Sequence, residues 1–282
     1  YNYEYINSAS KEDDKKKLDF IIYFHIQRIL FDFNSKKISE FTSYDLKAYL
    51  LSCSLLKKIN ETEIDYIKYI VDNQIDKIGM HKSYNFLEHS KFINNLSEIK
   101  NILLFSKSNK SNVFDEVILK MTSILNEYFH LDGSLALFNG TNNVYTINIY
   151  KSLNKESYLK KREFSNINNG IAFYSDKNKK IFFDVVQPNS DMISSNLSAG
   201  TLSVELSGFG EKIVSNCGAS ESFGKNPEYL RYSAAHSTII LQNTNISEIK
   251  EDNPHIKFPQ SVVFRKEAND QEEIFEGSHN GY

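Results

Sequence analysis

Two groups of residues in this chain have the means to do chemistry. One lies in Gly79-Met-His-Lys-Ser-Tyr-Asn85 with the Glu88-His89 that follows, the other in Arg231-Tyr232 and Ala234-Ala-His-Ser-Thr238. Imidazoles and a phenol move protons, and an Arg guanidinium grips a carboxylate through two parallel hydrogen bonds, which Lys does not do. His81 sits on a loop between helical segments, where function concentrates. Glu88 and His89, if partly buried together, would tune each other's pKa; the competing reading is an exposed helix face. Tyr84 stands one helical turn before Glu88. His236 follows two alanines at the mouth of an expected strand, where it either enters a cleft or fixes a turn. Arg231, one of only four Arg among 33 basic residues, either faces a ligand or makes a surface ion pair. Cys217 reads as a small buried residue and His25 as core. His130, His255 and His279 carry no pattern.

These residues need two kinds of scaffold. Residues 1–130 read as amphipathic helices with short joints: one from about Leu18, one capped by Ser43, one opened by Asn60-Glu-Thr-Glu63 and stopped by Gly79, one over 84–105 and one over 113–129. The aromatics Phe20, Tyr23, Phe24, Phe31 and Phe33 are expected to fill a core. At Asp132-Gly133 the hydrophobic period changes from 3.6 to 2. Strands are expected at 135–138, 144–150, 170–174, 180–186, 201–206, 212–215, 237–242, 261–266 and 272–277. Strands this close together with no helix between them imply an antiparallel sandwich. The expected organisation is a helical domain over 1–130 and a β-sandwich domain over 131–282.

The length of 282 residues fits two domains, and 40% hydrophobic content fits packed cores. A net charge of −3 gives no footprint for nucleic acid. No run reaches the roughly 18 apolar residues of a membrane span. The two cysteines imply no disulfide framework and have no metal-ligand spacing. Neither terminus reads as natural, so a piece of a longer chain is expected.

Four stretches in order are similar to the heparinase II/III-like polysaccharide lyases. Asp132-Gly-Ser-Leu-Ala-Leu-Phe-Asn139 resembles the opening of that family's β domain. Gly200-Thr-Leu-Ser-Val-Glu-Leu206, continued by Ile213-Val-Ser-Asn-Cys-Gly218, resembles its hairpin. Ala234-Ala-His-Ser-Thr238 resembles its Ala-Ala-His-Asn-Thr, and Gly79-Met-His81 its Gly-Gly-His loop. The resemblance implies an (α/α) toroid, incomplete here, followed by a β-sandwich. It also implies β-elimination on a uronate-containing, acidic polysaccharide and a bacterial periplasm or envelope setting.

In that family a Tyr and a His transfer protons, and a metal is held by His, Asp and His. Carried over, the Tyr-His pair falls at Glu88-His89, the metal-binding Asp at Asn216, the first sandwich His near Asn196 or Ser198, and the last His at His236. With one imidazole left in that set, no bound metal and no cofactor are expected. The resemblance therefore assigns proton transfer to His81, Tyr84, His89 and His236, with Tyr84 as a substitute phenol. Substrate contacts fall to Arg231, Tyr232, Asn216 and Glu88. The rival function is a glycan-binding or envelope-associated protein that keeps the scaffold without turnover.

Overall fold

The computed structural model describes residues 11–142, 170–188, 198–219, 228–249, 257–269 and 272–282, so the strand expected at 144–150 and Asn196 lie outside the described residues. A helical N-terminal part is followed by antiparallel sheets. The chain divides into two compact units, Tyr1–Asn73 with Asn95–Phe114, and Gln74–Asn94 with Asp115–Tyr282. This division and the switch from helix to strand near residue 130 fall at different places.

The first unit holds α1 (Glu12–Ser35), α2 (Ser43–Leu55) and most of α3 (Glu61–Gln74). Thr42, not Ser43, caps α2: its hydroxyl accepts from Asp45 N–H while the Asp45 carboxylate accepts from Thr42 N–H. Asn60 and Glu63 form the same reciprocal pair ahead of α3. Phe33 stacks on Tyr49 at 3.7 Å between ring centroids and tilts against Phe41 at 4.6 Å. The other α1 aromatics do not join that core. Phe20, Tyr23, Phe24 and Phe31 are all exposed, so α1 has less buried surface than its aromatic content implied.

The second unit carries the loop 75–85, the first turns of α4 (Phe86–Phe105), α5 (Asp115–Glu127) and the six strands found among the described residues. Strands β1 (Ile171–Ser175), β2 (Lys179–Asp184), β3 (Val204–Gly208) and β4 (Glu211–Val214) form one antiparallel sheet in that order. A register shift between Leu206 and Ser207 interrupts its last ladder. Strands β5 (Val262–Ala268) and β6 (Glu273–His279) form a separate hairpin. Residues 135–138 contribute a single bridge, Phe129 to Leu135, in place of a strand. Residues 237–242 are not a strand either. Ser237 N–H is committed to Asn216 Oδ1, and Leu241 and Thr244 close a tight turn.

Register decides what each face of the four-stranded sheet does. Phe182 pairs with Phe173 on one side and Glu205 on the other, and Lys180 pairs with Ser207, so these side chains and Asp184 share one face. Tyr128 and His130 cover that face, 5.9 and 4.9 Å from the Phe182 ring. The opposite face shows Ile181, Phe183, Val204 and Leu206. Phe183 meets Phe264 of the hairpin edge-on at 6.2 Å. Gly277 makes that approach feasible, because a Cβ there would lie 2.7 Å from both Leu202 and Phe183 side-chain atoms.

Candidate functional site

The loop between α3 and α4 is built from short-range hydrogen bonds. Asp76 Oδ1 accepts from Ile78 N–H (3.0 Å) and Met80 N–H (2.8 Å), closing the turn at Gly79, whose φ of +94° suits glycine. Tyr84 OH donates to Asp76 Oδ2 at 3.3 Å. Tyr84 itself is buried and sits at φ +50°, the left-handed region that a bulky side chain rarely takes. Burial raises the phenol pKa, and the charges of Asp76 and Asp184 raise it further. Burial likewise raises the Asp76 carboxyl, against the pull of its backbone donors.

His81 and His89 meet inside this loop. His89 donates from Nε2 to the Met121 carbonyl (2.8 Å) and accepts His81 N–H at Nδ1 (3.1 Å), which fixes its tautomer. His81 Nδ1 lies 2.7 Å from Ser83 Oγ and accepts from Ser83 N–H at 3.3 Å. Burial pushes His89 down to about 4 and His81 down to about 3, so both are neutral. Of the two readings of Glu88 and His89, the mutually tuned pair does not form, and the exposed face holds for Glu88 but not for His89, which is buried. Glu88 turns outward to Lys91 Nζ at 2.8 Å, and both His89 nitrogens are occupied by the fold.

A relay of backbone and hydroxyl contacts leads from this loop to the sandwich motifs. Asn85 Oδ1 caps α4 by accepting from Leu87 and Glu88 N–H, and Thr141 Oγ1 accepts from Phe86 N–H at 2.9 Å. The Thr141 carbonyl accepts from Ala219 N–H at 3.0 Å. Gly218 next to it has φ +68°, and a Cβ there would come within 2.8 Å of that carbonyl.

The sandwich motifs are organised by Glu205, which lay in the Leu-Ser-Val-Glu-Leu stretch without being singled out as a site. Its Oε2 accepts from His130 Nε2 (2.7 Å) and Leu137 N–H (3.0 Å), and its Oε1 from Ser215 Oγ (3.2 Å) and Asn216 N–H (2.8 Å). His130, which offered no pattern, is thus a partner in a fully buried hydrogen-bonded pair. Asn216 spends its backbone N–H on Glu205 and its Oδ1 on Ser237 N–H, and its Nδ2 is buried with no partner among the described residues.

His236 lies beside Gly200, where an added Cβ would be 3.1 Å from its ring. The ring hydrogen-bonds the Leu230 carbonyl, and Nε2 is buried without a partner among the described residues. Burial pushes its pKa down to about 4, although the Glu205 charge and the Leu230 bond act the other way. Arg231 is buried rather than on the surface, and its carbonyl accepts from Ala199 N–H at 2.8 Å. Tyr232 is half-buried in the same short helical turns. The candidates therefore form two clusters in one compact unit: His81, Tyr84, Glu88 and His89, then Asn216, Arg231, Tyr232 and His236.

Among the described residues no three His, Cys, Asp or Glu side chains converge to hold a metal. At the position of the family's metal-binding Asp, the Asn216 amide oxygen serves a backbone N–H instead, so the residues present do not fit that ion. A cavity of about 540 Å³ opens on the other face of the sheet, lined by Tyr174, Phe183 and Phe275 among others, and none of the candidate residues lines it.

Comparison with known proteins agrees with this architecture. Residues 162–282 match the family profile described as "Heparinase II/III-like, C-terminal". No curated protein matches the chain by sequence. The crystal structure of heparinase III has a TM-score of 0.56 at 13% identity, covering 80% of this chain and 41% of that one. Heparan sulfate lyase HepC from Pedobacter heparinus gives 0.56 at 12%, covering 85% and 41%. The heparinase III BT4657 gene product gives 0.59 at 12%, covering 93% and 47%. At such identities the likeness is one of fold, and the chain spans less than half the length of these structures.

Proposed function

We propose that this chain, a divergent member of the heparinase II/III-like family through its residues 162–282, belongs to a polysaccharide lyase that cleaves a uronate-containing glycan by β-elimination. The supporting observation is that one compact unit contains a protonated phenol and a neutral imidazole with a bare nitrogen. Tyr84 and His236 are those two groups. β-Elimination needs this combination: a base to take the C5 proton and an acid to protonate the departing O4. His236 Nε2 is the base and Tyr84 OH the acid. His81 and His89 hold the loop that fixes Tyr84.

The fold bonds at His89 and the Glu in place of Tyr at position 88 favour one rival, a glycan-binding protein without turnover. Incubating the full-length protein with a panel of acidic polysaccharides separates the two. The lyase reading expects rising ultraviolet absorbance from unsaturated uronate, lost in His236→Ala. Saturable binding with no absorbance change on any substrate would establish the rival.

A further inference from the structure

We propose that the cavity between the apolar face of the four-stranded sheet and the β5–β6 hairpin binds a small organic ammonium, held by carboxylates over aromatic rings. Its volume of about 540 Å³ falls among those of small-molecule sites. Strand register builds the floor. Tyr174 pairs with Ile181 and Phe183 with Val204, so these four side chains share one sheet face, and Phe275 closes the cavity from β6. All five are half-buried. The polar lining is exposed and so stands at the mouth: Asp176 and Lys179 from the β1–β2 turn, with Asn269, Glu272 and Glu273 from the β5–β6 turn.

Both turns hold their carboxylates in place. Asp176 Oδ1 accepts from Asn178 and Lys179 N–H, each at 2.7 Å, and Oδ2 accepts from Tyr174 OH at 2.9 Å. The Asn178 N–H, helped by the other two donors, holds the Asp176 carboxyl below its usual range, so it is ionised at neutral pH. Asn269 grips Glu272 twice: its Oδ1 accepts from Glu272 N–H at 2.9 Å, and its Nδ2 donates to Glu272 Oε1 at 3.4 Å.

Charge selects the ligand. Three carboxylates line the mouth against one ammonium, Lys179. Lys266 bonds Glu273 at 2.9 Å and Lys179 acts on Asp176, which leaves Glu272 without a cation among the described residues. A uronate or sulfate would be repelled here, so the cavity does not suit the acidic glycan proposed above. An ammonium gains from a carboxylate and from the negative face of a ring together. Lys266 displays that combination within the chain, its Nζ bonded to Glu273 while lying 5.6 Å from the Phe275 ring centroid.

The same geometry disfavours an inorganic cation. The three carboxylates do not converge as ligands, and both Asp176 oxygens already accept hydrogen bonds. A hydrated metal would also gain little from Tyr174, Phe183 and Phe275, whereas the carbon frame of an organic ammonium can cover them.

Titrating the full-length protein with glucosamine, its neutral analogue N-acetylglucosamine, and choline tests the site, with binding read by calorimetry or NMR. Glucosamine or choline should bind saturably, at least about 5-fold more tightly than N-acetylglucosamine, and more weakly as salt is added. Tighter binding of glucosamine marks a sugar-borne ammonium as the ligand, and tighter binding of choline a non-sugar one. Glu272→Gln removes the unpaired charge, and Phe275→Leu keeps apolar volume without the ring. Each should weaken cation binding by about 2- to 5-fold. Failure of both cations to bind, equal binding of N-acetylglucosamine, or an affinity unmoved in either variant overturns the proposal. These readouts need no turnover, so they stand or fall apart from the lyase reading.

Discussion

His130 Nε2 donates to Glu205 Oε2 at 2.7 Å, and neither side chain reaches solvent. Every other contact of Glu205 is with a donor, so the carboxylate ties the segment after α5, the backbone at Leu137 and the turn at Ser215–Asn216 to β3. Breaking a buried pair by removing one partner leaves the rest desolvated. Glu205→Ala should therefore lower unfolding free energy by about 3–5 kcal/mol, read by chemical denaturation, and Glu205→Gln by less. Cutting the largely exposed Lys110–Asp65 bridge (2.6 Å) with Lys110→Ala should cost under about 1 kcal/mol.

The pair also explains what could be read in the sequence. Around the strand expected at 201–206, which forms over Val204–Gly208, alternation sets Ser203, Glu205 and Ser207 on one side. It cannot say which side is wet, and here the polar side is the buried one. Nothing near His130 in sequence announces a carboxylate 75 positions away. The strand expected at 237–242 failed for a related reason: Asn216, distant in sequence, takes the backbone N–H that a ladder would have used. The helices were easier, since caps such as Asn60-Glu-Thr-Glu63 act within one turn. The exposed aromatics of α1 show the limit of composition as a guide to burial.

Gly218 tests the relay between the loop and the sandwich. At φ +68°, with the Thr141 carbonyl 2.8 Å from a would-be Cβ, Gly218→Ala meets strain and a clash together. A loss of about 1–3 kcal/mol is expected, with faster amide exchange at Phe86 and Ala219, the two N–H groups that Thr141 holds.

Acid should loosen the molecule through its buried imidazoles. His81, His89 and His236 have folded pKa values of about 3, 4 and 4 against an ordinary 6.5. The unfolded chain therefore binds protons first, and their stabilising contribution, complete above about 6.5, is lost as pH falls toward 4. Tm measured against pH should show this slope, and His236→Asn should make it shallower.

Asp184 carries the opposite sign. Its folded pKa of about 7 exceeds the ordinary 3.8, so the folded state holds the extra proton, and stability falls as pH rises between those values. Asp184→Asn should raise Tm more on the alkaline side of neutral than under acid conditions. An equal change at both would contradict a proton on Asp184.

Gly200→Ala offers a milder probe of His236 than removing the ring. The added Cβ would press within 3.1 Å of His236 Cγ, so the imidazole must shift by a few tenths of an ångström. On the lyase reading turnover should fall by about 10-fold with little change in denaturation midpoint, whereas His236→Ala should cost roughly 100-fold or more.

The covered face of the four-stranded sheet has an evolutionary consequence. Lys180, Asp184 and Glu205 share that desolvated surface with Ser203 and Ser207, where charges are screened far less than on a wet surface. A substitution at one of them resets the field at the others, so mutations there should combine non-additively. Sequence change on this face is then historically contingent: which residue a descendant tolerates at 184 depends on what its ancestors already placed at 180 and 205.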